Sequence, residues 1–287
     1  MLGSMLLAMA DERTSLSVVL QRSMSPKLFQ FLRSKAWYPL VCFPRFVVAR
    51  FIRRHPVVRG FGRLGDESAL VRQIQNVNVI EPTKMCQVMT RHGSDKGRRA
   101  HNYTTVYSAL LRGKFNQPYR IFELGLGTNN PELISTMGIA GTPGASLRGW
   151  REIFSNAIIY GADIDREVLF EADRITTYYC DQLDPAAIGE LWAQPELQNG
   201  MDIIIEDGLH TFEANLSFLE ASIQHVRPGG FYVVEDILTS CRGAWYNQLE
   251  NVYSMRYPDF EFVFVSLPNP INKADNNLLI AQRSLTL

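Results

Sequence analysis

The sequence predicts an α/β fold: a mostly parallel sheet covered by helices on both faces, one antiparallel strand near the C-terminus, and a mainly helical N-terminal region. Three observations predict it. Beyond residue 88, short apolar runs alternate with segments of helical period, the pattern of β-α-β units. The runs end in glycine or acidic residues, as strands do where they leave a sheet. The last two runs, Phe260 to Val265 and Asn277 to Gln282, have no helical pattern between them, as in a closing hairpin.

The strands read in order as Tyr119 to Leu124, Ala157 to Ala162, Thr176 to Cys180, Met201 to Ile205 and Gly230 to Val234, followed by the two strands of the hairpin. Pro185 to Trp192 reads as a helix because Asp184 is a good N-cap and proline fits the first turn. Phe212 to His225 places Phe212, Leu216, Leu219 and Ile223 at helical spacing, and Arg227-Pro-Gly-Gly230 stops it. Before residue 88 the pattern suggests short helices at Pro26 to Ser34, Phe46 to Arg54 and Glu67 to Gln75. The expected division is therefore a basic, mainly helical region at 1–88 and the α/β domain at 89–287.

The 287 residues carry no net charge, and 46% of them are hydrophobic, enough to build a core without disulfide or metal staples. The charge is uneven. From Arg13 to Gly65 there are nine Arg and two Lys and no acid. Such an arm suits an anionic membrane surface, an acidic substrate or the acidic remainder of the chain. The greasy stretch Ala36 to Ile52 is broken by Pro39, Pro44, Arg45 and Arg50. It reads first as a helical lid packed on the α/β domain and second as a segment lying on a membrane surface. Cys42, Cys86, Cys180 and Cys241 lack metal or disulfide spacing, and no secretory signal is evident. The expectation is a cytoplasmic protein with reduced thiols, with peripheral membrane contact through the basic region as an addition and no nucleic-acid partner.

Candidate chemistry sits at the strand ends. The first strand runs into Glu123-Leu-Gly125-Leu-Gly127, where glycines let the backbone turn sharply and approach a ligand. Asp163, ending the second strand, suits ribose hydroxyls. A dinucleotide would need a third glycine where Asn130 stands. Glu123 would repel a pyrophosphate and attract an ammonium. This favours S-adenosylmethionine over NAD. Asp181 and Gln182, after the third strand, could bond an adenine edge. The bland alternative for them is a polar turn.

The fourth strand ends in Glu206-Asp207-Gly-Leu-His210 and the fifth in Glu235-Asp236. As sheet neighbours they bring Asp207, Glu235 and Asp236 into one crevice, where clustered carboxylates call for a cation such as Mg²⁺. His210 can take a proton near neutral pH. A metal that polarises a hydroxyl beside a base suits O-methylation. His225 reads as structural.

These residues resemble the class I S-adenosylmethionine-dependent methyltransferases, whose sheet is Rossmann-like. More narrowly, they resemble the metal-dependent sugar O-methyltransferases of macrolide biosynthesis. The stretches carrying the likeness are Glu123 to Gly127; Gly93-Ser-Asp-Lys-Gly97 with His101, Tyr103 and Tyr107; Ala145-Ser-Leu-Arg-Gly-Trp150; Ile159 to Asp163; and Asp207 to His210 with Glu235-Asp236. They span about residues 90 to 285. The resemblance implies Mg²⁺ on Asp207, Glu235 and Asp236, a catalytic His210, a sugar hydroxyl as acceptor and a homo-oligomer. Where that family has Asp-Asp-Gly-Ser-His, this chain has Glu206 and Leu209 for the first Asp and the Ser. Glu123, Gly125, Gly127, Asp163, Asp181 and Gln182 would hold the donor. Lys96 and Tyr103, with Arg148 further out, are additional candidates for lining the site. The rival readings are an NAD-dependent oxidoreductase and a non-catalytic S-adenosylmethionine- or nucleotide-binding module of the same fold.

Overall fold

In the computed structural model, residues 54–97, 101–269 and 272–285 are described. Nine strands form one sheet. They are β1 (Val57–Phe61), β2 (Arg120–Leu124), β3 (Ile158–Asp163), β4 (Glu171–Ala172), β5 (Ile175–Tyr179), β6 (Met201–Glu206), β7 (Val226–Val234), β8 (Phe260–Ser266) and β9 (Asn277–Arg283). Their order is β1-β8-β9-β7-β6-β2-β3-β5-β4. The five inner strands β5, β3, β2, β6 and β7 pair in parallel. β9 returns antiparallel to β7, and β8 pairs antiparallel with β9. From β2 the chain winds outward to β3 and β5, then restarts on the other side at β6 and β7. That reversal opens a crevice at the carboxyl ends of β2 and β6, where open α/β sheets bind ligands.

Helices α1 (Ala69–Gln75), α2 (Lys84–His92), α3 (Tyr103–Leu110) and α4 (Ala145–Ile153) cover one face. Helices α5 (Pro185–Trp192), α6 (Phe212–Ser222) and α7 (Arg242–Gln248) cover the other. Successive strand residues point to opposite faces. Ile203 and Ile205 therefore enter the first core layer, and Ile204 and Tyr232 the second. This double coverage explains why the inner strands read as continuous apolar runs. Helix ends follow local chemistry. Thr83 caps α2 through the Cys86 N–H, and Gly93 ends it at φ +90°. Asp184 caps α5 as expected, with Pro185 in the first turn.

The expected strands and the helices of the α/β part are present, with ends shifted by a residue or a few. The expected boundary at residue 88 differs: it falls inside α2, and β1, read as part of the N-terminal region, is an edge strand paired with β8. The compact unit runs from Arg53 to Leu287. Its first strand is too short and mixed in character to stand out before its partner is known. The helices expected at Pro26 to Ser34 and Phe46 to Arg54, the lid at Ala36 to Ile52 and most of the basic arm lie outside the described residues. Among the described residues no helix is long and apolar enough to cross a membrane, and Cys86, Cys180 and Cys241 form no disulfide. His225 stacks on Trp192 with ring centroids 4.3 Å apart, a packing role.

Ile204 is fully buried at the centre of the sheet. Ile204→Ala is expected to cost about 2–5 kcal/mol, read as a lower urea midpoint with an unchanged slope.

Candidate active site

The loop after β2 is held against its neighbours by backbone bonds. Gly125 N–H donates to Ala162 O, and Asp207 N–H donates to Leu124 O. Gly125 has φ +88°, and a Cβ there would stand 2.0 Å from the Asp207 carbonyl oxygen. Only glycine lets the two strand ends approach this closely. The result is a cavity of about 470 Å³ lined at one end by Gly125, Leu126, Gly127, Asp163, Asp181 and Gln182. Lys96, Asp207, His210, Asp236 and Asp275 line the other end. Asp163 accepts the N–H of Leu126 at 2.7 Å and that of Asp165 at 2.8 Å, which fixes its carboxylate at the cavity wall. Burial pushes its pKa up against those bonds.

Lys96 enters from the loop between α2 and α3, with its carbonyl receiving the Thr104 N–H. Its ammonium lies 2.5 Å from Asp207 Oδ2, 2.5 Å from Glu235 Oε2 and 3.4 Å from Glu123 Oε1. Burial alone would lower its pKa, but the three carboxylates raise it well above the ordinary lysine value.

Glu123, Glu235 and Asp236 have further donors, supplied in helical pairs. On α4, Ser146 and Trp150 are four residues apart and both donate to Glu123, each at 2.5 Å. On α3, Tyr103 donates to Asp236 Oδ1 at 2.6 Å, and Tyr107, one turn on, donates to Glu235 Oε1 at 2.5 Å. Residues at this spacing share a helix face.

His210 and Asp236 face each other across the cavity end, with Nδ1 3.4 Å from Asp236 Oδ2. Nε2 lies 3.7 Å from Asp207 Oδ1. Both residues have left-handed backbones, φ +63° for His210 and +52° for Asp236, an uncommon state for non-glycine residues that often marks functional sites. Behind Asp236, His101 Nδ1 stands 3.3 Å from Oδ1 and stacks on Tyr103. Burial works against a charged His210. The Asp236 hydrogen bond and the charges of Asp207, Asp236 and Glu206 outweigh it, and its pKa rises to about 10. The same pairing, against burial, holds Asp236 down at about 2. Asp207 is pushed up to about 6, because burial exceeds the help of Lys96.

The expected site residues thus separate. Gly125, Gly127, Asp163, Asp181, Gln182, Lys96, Asp207, His210 and Asp236 reach the cavity. Glu123, expected at the donor's ammonium, does not itself line the cavity and is bonded to Ser146, Trp150 and Lys96, of which Ser146 and Lys96 do. Tyr103 stands behind Asp236 and not against the donor. Lys96, expected to bind cofactor, is an internal counter-ion. Glu235 is turned into the protein, with one oxygen on Tyr107 and the other on Lys96. Arg148 lies away from this cavity, bonded to the Pro143 carbonyl and placed over Phe170. The supporting Ser146, Trp150 and Tyr107 went unassigned, and their only sequence signal is donors spaced four apart on amphipathic helices.

An implied Mg²⁺ fits this donor set. Oxygens of Asp207 and Asp236 and a nitrogen of His210 lie within 4.8 Å of one another. One ammonium among Glu123, Asp207 and Glu235 leaves excess negative charge, and burial first, then repulsion from neighbouring acids, raises the Asp207 and Glu235 carboxyls despite Lys96. Hard oxygen ligands of this kind suit a divalent cation.

The strand order and the glycine loop facing an acid on the next strand define the class I methyltransferase fold. The resemblance read from the motifs is borne out: the chain is similar to curated O-methyltransferases, a mycinamicin 2''-O-methyltransferase among them. It is 36% identical over 155 residues to the demethylmacrocin O-methyltransferase of Streptomyces fradiae. It is 31% identical over 157 residues to the mycinamicin VI 2''-O-methyltransferase of Micromonospora griseorubida. Each match takes in 54% of this chain and 36% of the relative, so the chain spans about a third of these relatives' length. The crystal structure of the MycE methyltransferase with Mg and SAH superposes at TM-score 0.52 and 24% identity, over 75% of this chain and 60% of that one. No family model matches the sequence.

Because the folded-state pKa of His210 stands above the unfolded value of about 6.5, its pairing with Asp236 adds stability below that pH and loses it as pH climbs toward 10. In metal-free protein the His210 ring-carbon NMR signals are expected to stay those of imidazolium through pH 8. Asp236→Asn is expected to move the titration down. An ordinary histidine titration in both proteins would show the pairing to be absent.

Proposed function

We propose that this chain is an S-adenosylmethionine-dependent, Mg²⁺-dependent O-methyltransferase acting on a hydroxyl of a sugar or a glycosylated small molecule. The observation that carries this is the single cavity that joins the Gly125 to Gly127 loop and Asp163 to the Asp207, His210 and Asp236 cluster. The relatives' names and the MycE complex with Mg and SAH support the same reading.

In this reading Gly125 and Gly127 let the donor lie close against the β2 loop, Asp163 takes the ribose hydroxyls and Asp181 borders the base. Asp207 and Asp236 hold the cation, and Glu235 joins them only by giving up Lys96. Bound Mg²⁺ supplies the positive charge that acidifies an acceptor hydroxyl. His210 receives that proton. Asp236 at Nδ1 steadies the imidazolium, which leaves Nε2 as the nitrogen that takes it. A cation shared by Asp207 and Asp236 would weaken, without removing, their pull on His210 and so favour the neutral imidazole that serves as a base. Leu209 lines the cavity beside it and offers an acceptor an apolar contact. The proposal extends to a homo-oligomer, which sedimentation velocity reads directly.

Calorimetric titration with S-adenosylhomocysteine, with and without Mg²⁺, is the first test. Micromolar binding is expected, and no binding under either condition would remove the methyl-donor reading. Nicotinamide fluorescence then tests the oxidoreductase alternative. With an acceptor found, His210→Ala is expected to lower kcat by about 10²–10⁴-fold. An unchanged kcat would take the base role from His210.

A further inference from the structure

Gln182 follows β5, on the donor side of the cavity, yet its side chain is engaged elsewhere. Its Nε2 donates to Glu206 Oε1 at 3.1 Å, and its Oε1 accepts the Leu209 N–H at 2.6 Å. Glu206 Oε1 also faces the Gly208 N–H at 3.4 Å. Gly208 is pressed onto the amide: a Cβ there would stand 2.0 Å from Gln182 Oε1. Gln182 is 7% exposed and Glu206 1%. The chain leaving β5 thus brings the Gln182 side chain against the loop after β6. It grips that loop at Glu206 and at Leu209, on both sides of Asp207 and Gly208.

That loop needs such a grip. It has no regular structure from Asp207 to His210, and it ends in a residue at φ +63°. A backbone state of this kind persists only when its surroundings hold it in place. The Leu209 N–H bond is the one immediately before that residue, and Asp207, two residues earlier, carries a cavity-facing carboxylate. A misplacement of about 1 Å at such groups can cost about 10²-fold in rate.

We propose that Gln182 is a positioning residue that holds Asp207 and His210 in place through Glu206 and the Leu209 amide, and is not a contact to the methyl donor's adenine. This rests on the O-methyltransferase reading for its catalytic consequence, while the brace itself is independent of it.

Three readouts on the full chain test it. Hydrogen–deuterium exchange follows the 207–211 segment, Mn²⁺ binding by electron paramagnetic resonance follows Asp207, and calorimetry with S-adenosylhomocysteine follows the donor pocket. In Gln182→Leu, exchange at 207–211 is expected to speed up and Mn²⁺ affinity to fall, with S-adenosylhomocysteine affinity unchanged. The double substitution Gln182→Glu with Glu206→Gln exchanges donor and acceptor and keeps the volume of both side chains. It is expected to restore slow exchange and Mn²⁺ affinity. Weaker S-adenosylhomocysteine binding by Gln182→Leu would overturn the proposal, as would unchanged exchange or a folded double variant that restores neither property. Wild-type protein that binds no S-adenosylhomocysteine would sink the functional reading instead, with the exchange comparison still able to decide the brace.

Discussion

The ammonium of Lys96 is buried among Glu123, Asp207 and Glu235, one carboxylate from each of the ends of β2, β6 and β7 or the residue just beyond. Three acids at the edge of one sheet, two of them buried, would drive its strands apart. The lysine is what lets them converge. Burying an ion costs several kcal/mol, and Coulomb attraction repays this only when the remaining valences are also filled. Here they are filled by Ser146 and Trp150 on Glu123 and by Tyr107 on Glu235. Two helices are consequently fixed in rotation about their axes, because a turn in either would unhook a donor from a buried acid.

This arrangement divides the carboxylates by what they face. Glu123 and Glu235 are locked inward as counter-charges. Asp207 keeps one oxygen on Lys96 and turns the other toward His210, and Asp236 shares its oxygens between Tyr103 and His210. Only the last two are available to a ligand in the cavity. Two of the three left-handed non-glycine residues among those described lie at this boundary, at His210 and Asp236. There the backbone must leave the strand direction abruptly to aim a side chain back over the sheet edge. Strain of this kind at chemically active residues fits a site whose geometry is imposed by the scaffold.

The strand register was legible because it rests on short-range facts. Apolar runs covered on both faces cannot be confused with half-exposed ones, and acids at the ends of β6 and β7 become neighbours once those strands are adjacent. That logic is what brings Asp207, His210 and Asp236 together at one edge. Glu123 was read through its charge, which is correct, but sequence gives no direction for a side chain. Odd and even positions of a strand face opposite layers. The register puts Glu123 on the layer of α4, bonded to Ser146 and Trp150, a fact that exists only once helices are assigned to faces. The partners of Lys96 and Tyr103 were hidden for a related reason. Lys96 is more than 100 residues from Asp207 and Glu235, as Tyr103 is from Asp236, and no local pattern encodes those encounters. β1 escaped because an edge strand of five residues takes its identity from its partner β8.

The charge balance ties these observations together. Lys96 is sufficient to assemble the edge and insufficient to neutralise it. Burial pushes Glu235 well up and Asp207 to about 6, while His210 is held charged to about pH 10 by its acidic neighbours. Without a further cation, protons do that work, on the histidine and on the buried acids. A divalent ion held by Asp207 and Asp236 would offset the same negative charge. That excess of charge, gathered at one sheet edge, is what keeps His210 protonated and what would favour a cation beside it.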